Sequence, residues 1–155
     1  MYLDLLGALE GSWLGHTARH SAWTFMIANV LHVLGAALLV GGIAVFDVKV
    51  LAERGQAAWQ VGRYAIPLAA VGLAVQVPTG MILLAAEARA LGVNPAFYAK
   101  LAFIALGLAN VALFHARFGA ALRAGALPER ARIYAAGSLC AWTLTLAAGR
   151  MIAYL

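Results

Sequence analysis

The residues of this chain that could do chemistry are few, and most of them stand among apolar neighbours. His32 lies near the middle of Ala22 to Phe46, a stretch without a formal charge. An ionisable side chain inside such a stretch is costly in a bilayer and faces a bundle interior or a water-filled path, so His32 is the first candidate for a working residue. His115, on a later apolar stretch beside Arg117, is the second. Two imidazoles on parallel helices of a bundle can hold a haem iron, which makes His32 and His115 candidate ligands of a b-type haem, with Arg150 as the cation for a propionate. Counted inward from Asp47 and Arg117, His32 is fifteen residues deep and His115 two. That separates them by about 20 Å, and by roughly 10 Å if the third helix extends to Leu122. A shared haem, separate sites and ligation across a dimer all remain open.

Other polar residues join them. Gln76, Asn110 and Thr143 each fall near mid-depth of an apolar stretch, within about 6 Å of His32 along the membrane normal at the helical rise. A polar centre is therefore expected, serving either a cofactor or simply the register of helices that hydrogen bonds glue together. His16 and His20 are four residues apart, a helical spacing that suits two metal ligands, although no third ligand is evident nearby. Met26 and Met81 could offer thioethers to Cu(I), and core packing is the commoner use of methionine. No Walker loop, GxGxxG, HExxH or serine elbow occurs, and the six acidic residues supply no intramembrane carboxylate pair for a pump.

The elements that must position these residues are membrane spans. The chain of 155 residues is 65% hydrophobic and 11% charged, far below the roughly 25% charged of an average soluble domain. Spans are expected over about 22–46, 64–86, 97–118 and 133–155, preceded by a short interfacial helix within residues 1–20. In that helix Leu3, Leu6, Leu9 or Glu10, and Trp13 share helical spacing. Ser21 is the expected cap of the first span and Asn94-Pro95 the expected start of the third. Between the first two spans, Val48 to Arg63 reads as a polar linker. Pro67 is expected in a first turn, and Pro78 inside the second span, freeing a carbonyl near Ala74. The expected fold is all-α: one membrane domain, a four-helix bundle.

Charge sets orientation. Lys49, Arg54, Arg63, Arg117, Arg123, Arg130 and Arg132 fall on one side, and Arg19, Arg89, Lys100 and Arg150 on the other. The positive-inside bias places the first group in the cytoplasm and both termini outside. The net charge of +5 is scattered beside apolar spans, which speaks for the lipid bilayer and against nucleic acid. Cys140 is the single cysteine, so no intrachain disulfide can form. The first ten residues lack the basic start and long apolar run of a secretory signal.

Leu31 to Asp47, Pro78 to Gly80, Asn94 to Leu101, Asn110 with Phe114 to Arg117, and Ala147 to Tyr154 together resemble a family of bacterial four-span inner-membrane proteins without an assigned reaction. More distantly they resemble the membrane domain of copper resistance protein D. The resemblance draws attention to His32, Asn110, His115 and Arg150, and the copper protein would imply metal passage. Three functions follow as expectations: a haem b electron-transfer module, a copper-handling or transport protein, and a cofactor-free accessory subunit of a larger membrane complex or homo-oligomer. Catalysis by this chain alone is not expected.

Overall fold

The structure, a computed structural model, describes residues 2–53 and 55–155, without the side chains of Tyr2 and Leu3. Arg54 and the Leu3 side chain, both used in the sequence reading, lie outside the described residues. Ser21 ends one helix and begins the next. Its N–H donates to Thr17 O at 3.0 Å, closing α2 (Trp13–His20), while its hydroxyl accepts from Thr24 N at 3.2 Å, opening α3 (Ala22–Ala52). This satisfies an orphan donor of the first turn, as expected for a serine cap.

α3 continues past Asp47 and Lys49, with Lys49 pairing to Glu53 at 2.7 Å one turn on. The polar linker expected over Val48 to Arg63 is therefore mostly helix. Glu, Gln, Lys and Ala are all good helix formers, so polarity takes the chain out of hydrocarbon without ending the helix. α4 (Gly55–Ala86) starts at Gly55 in a left-handed conformation, φ 62°, which a side chain rarely adopts. Because α4 begins this early, Pro67 is interior rather than in a first turn; Pro78 is interior as expected.

The turn after α4 contains a short helix, α5 (Ala88–Gly92). α6 (Pro95–Arg123) is capped by Asn94, whose Oδ1 accepts from Ala96 N at 2.9 Å and Phe97 N at 3.4 Å. Asn94 Nδ2 also donates to Ile152 O at 3.1 Å, tying this cap to the chain's end. Asn94→Ala is expected to cost about 1–2 kcal/mol, the upper range for a cap because the tie is lost too; a thermal melt in detergent measures it. α6 ends with Gly125 N bonded to Leu122 O and Ala126 N bonded to Ala121 O, a left-handed glycine closure with φ 66°. α7 (Ala131–Met151) stops short of the expected 155 and passes into a 3₁₀ turn, Ile152–Tyr154.

The N-terminal segment expected at the interface forms two helices rather than one. α1 (Tyr2–Gly11) breaks at Ser12, which caps α2 through Gly15 N. α2 leans on the end of α4, with Gly15 and Ala18 buried and Arg19 donating to Ala86 O at 3.2 Å. α1 rests on α5.

Among the long helices, α3 packs along α4, α6 along α7, and α3 against α7, while α4 and α6 touch only sparingly. Phe46, Val50, Phe114, Phe118 and Leu122 form the main core, near the end where α3 turns into α4. α3, α4 and α6 are each long and apolar enough to cross a membrane. In their most apolar windows only 22%, 22% and 11% of residues are buried, and Val33, Val45, Val71 and Leu106 are more than half exposed. Such apolar surface belongs against lipid, which makes this an all-helical membrane protein with no strand among the described residues. α7 is less apolar, with Arg132 and Arg150 near its ends.

Candidate functional site

Two polar sites lie at different depths. The first is built on His32 of α3 and the irregular part of α4. Thr79, buried, donates its hydroxyl proton to Val75 O at 2.6 Å. A hydroxyl has one proton, so at the His32 contact of 2.9 Å it accepts, and His32 Nδ1 carries the hydrogen. Nε2 is left with the free electron pair. Gln76 Nε2 donates to the His32 carbonyl at 2.6 Å, and Gly80 leaves room for the ring: a Cβ there would stand 3.2 Å from Cε1.

Lys100 of α6 lies within electrostatic reach of His32 and beside Gly149, where a Cβ would stand 3.6 Å from Nζ. It makes no ion pair among the described residues. Lys100 is thus a cation that acts on His32 from α6. Arg150 is exposed, donating to the Tyr154 hydroxyl at 3.0 Å and lying 5.1 Å from that ring's centroid.

The expected polar centre is only partly assembled. Gln76 joins His32, whereas Asn110 donates to Tyr134 O at 3.0 Å and Thr143 is exposed. Depth is one coordinate and helix face another. His16 and His20 face each other on α2, ring centroids 4.2 Å apart, and both are exposed. No group of three or more His, Cys, Asp or Glu residues that could hold a metal occurs among the described residues. Met26 and Met81 are each 48% exposed, on the apolar surface rather than gathered about His32.

His115 belongs to the second site. Its Nδ1 bonds Val111 O at 2.9 Å, and it borders a cavity of about 150 Å³ between α3, α4, α6 and α7 that Asp47 also lines. Asp47 is fifteen residues beyond His32 on the same helix, about 22 Å at the helical rise. His32 and His115 are therefore not brought together within one chain.

Asp47 is the residue that sequence reasoning missed. It is 4% exposed and hydrogen-bonds Ser138 of α7, and its Oδ2 has no partner among the described residues. A charge at the end of an apolar run reads as a boundary, and Ser138 lies far away in sequence. The available signal was a shared depth: Asp47 and Ser138 both fall within the loop-end halves of their helices. Trp142 Nε1, packed beside Gly107, and Arg132 Nε are further buried polar atoms without a partner among the described residues.

No family model, curated protein or solved structure matches the chain.

Proposed function

We propose that this protein is a multi-span inner-membrane module that binds one b-type haem through His32 and transfers electrons within an oligomer or larger membrane complex. The observation that carries this reading is the hydrogen-bond sequence from Val75 O through Thr79 to His32 Nδ1. Metal-bound imidazoles characteristically donate their other ring N–H to a fixed acceptor, which orients the ring and sets the tautomer. Thr79 offers His32 Nδ1 such an acceptor, itself held by Val75 O. Lys100, without a carboxylate partner among the described residues, supplies a cation for a propionate. When bound, the haem supplies one-electron redox chemistry. His32 offers the Nε2 ligand, Thr79 holds the ring, and Lys100 neutralises the group's negative edge.

On this reading α7 is a fourth span, α1 and α2 lie at the interface, and the more basic end, with Lys49, Arg63, Arg117, Arg123, Arg130 and Arg132, faces the cytoplasm. Both termini are then outside it. His115, far from His32, is not a ligand to the same iron.

The test is an absorption spectrum of protein purified in detergent after expression with ample haem, oxidised and then dithionite-reduced. A reducible Soret and α band is expected. A colourless protein carrying stoichiometric copper would put metal handling in its place, and one carrying neither would leave His32 as a packing residue of an accessory subunit. Thr79→Val is expected to weaken haem binding by about 10–100-fold, as removal of outer-shell partners does, while Thr79→Ser keeps it; a haem titration followed at the Soret band distinguishes them.

A further inference from the structure

The loop-end cavity has a different chemistry from the His32 site and does not depend on it. A carboxylate taken out of water is unfavourable unless a cation or proton meets it. Asp47 is buried, one of its oxygens is unpartnered, and no basic side chain among the described residues pairs with it. His115 at the rim is turned to Val111 O, and Arg117 donates to the Tyr134 hydroxyl. None of the described residues therefore provides the counter-charge.

Phe46, Phe114 and Trp142 line the same cavity, with the rings of Phe46 and Phe114 edge to face at 5.7 Å. Aromatic faces attract cations, most strongly those with little water to lose. A hard metal ion would find a single carboxylate and, beyond it, only the neutral side chains of Ser138, Tyr134 and Asn110 to replace its hydration shell, whereas an ammonium carrying hydrocarbon gives up little on entry. The volume of about 150 Å³ matches that of an engineered apolar cavity that admits benzene, which sets the ligand's size. Access is lateral. Ala70 of α4 and Leu108 of α6 both line the cavity and are exposed, where these two helices barely touch.

We propose that the cavity between α3, α4, α6 and α7 binds a small lipophilic ammonium ion, which enters from the bilayer between α4 and α6 and rests its charge on Asp47 against the rings of Phe46, Phe114 and Trp142.

The test is isothermal titration of the full chain in detergent with cyclohexylammonium and with cyclohexanol, a neutral ligand of nearly the same shape. Saturable binding of the ammonium, at least tenfold tighter than the alcohol, is expected, with that preference lost in Asp47→Asn. Equal binding of the two ligands, no binding of the ammonium, or a preference unchanged in Asp47→Asn would each overturn the proposal. Should Asp47→Asn fail to fold, Ala70→Phe keeps the test alive, because the new ring sits at the exposed mouth and leaves the core untouched. It is expected to weaken or slow ammonium binding at least tenfold, and unaltered binding through that variant overturns the site and its entrance.

Discussion

Gly72→Ala is expected to destabilise the protein by about 3 kcal/mol, while Gly41→Ala leaves it unchanged or stabilises it by about 0.5–1 kcal/mol. Both glycines sit inside long apolar helices, where alanine is the better helix former. What separates them is the neighbouring backbone. A Cβ on Gly72 would stand 2.6 Å from Gly35 O and 2.9 Å from Leu39 Cα, main-chain atoms that cannot rotate aside. A Cβ on Gly41 would meet nothing within 4 Å. α3 and α4 cross closely here, with Gly35 and Gly42 opposing Gly72 and Ala65, so a methyl group pushes apart the most extensive helix pairing in the molecule. In lipid such contact rests on packing between backbones rather than on hydrophobic exclusion, and a lost fraction of an ångström matters correspondingly. Thermal unfolding in one detergent, with both variants side by side, measures the difference. Equal midpoints would show that the crossing is looser than described.

The contrast also shows what a sequence of this kind reveals. Glycines in apolar runs announce close helix approach as a class, but Gly72 and Gly41 look alike until the partner helix is placed. Caps were legible because their chemistry is local: Ser21 reaches Thr24 and Asn94 reaches Ala96 and Phe97, all within three residues. Helix extent was less so. Val48 to Arg63 combines polar side chains with good helix formers, and membrane exit and helix termination are separate events. The His32 site was half legible, since an imidazole in an apolar run stands out, whereas Thr79 is an ordinary residue until Val75 O fixes its proton. Lys100 read as an interruption near a span's end, yet it is turned inward beside Gly149. The Asp47 cavity was not legible because its polar partner, Ser138, is on α7 and its aromatic walls come from three helices.

His32→Gly is expected to abolish the haem spectrum, and millimolar imidazole is expected to restore it. The argument follows from where the ring is held. Removing the side chain takes away the ligand and opens a space bounded by Thr79 and Gly80, which imidazole from solution can refill with its N–H toward Thr79 Oγ1. A variant that had merely lost its fold would not recover on adding imidazole, so rescue separates ligation from packing. Rescue should in turn fail in the double variant with Thr79→Val, where nothing orients the incoming ring. His115→Ala is expected to leave the spectrum intact, because His115 lies with Asp47 and that residue is about 22 Å along α3 from His32. Loss of the band in His115→Ala, with a monomer shown by light scattering, would mean that one iron does take both histidines, and that α6 shifts along the bundle by several turns to allow it. A band lost in the same variant of a dimer would instead put the second imidazole on the neighbouring copy. Spectra of the two single variants, read beside their molecular mass, therefore decide how many chains one haem needs.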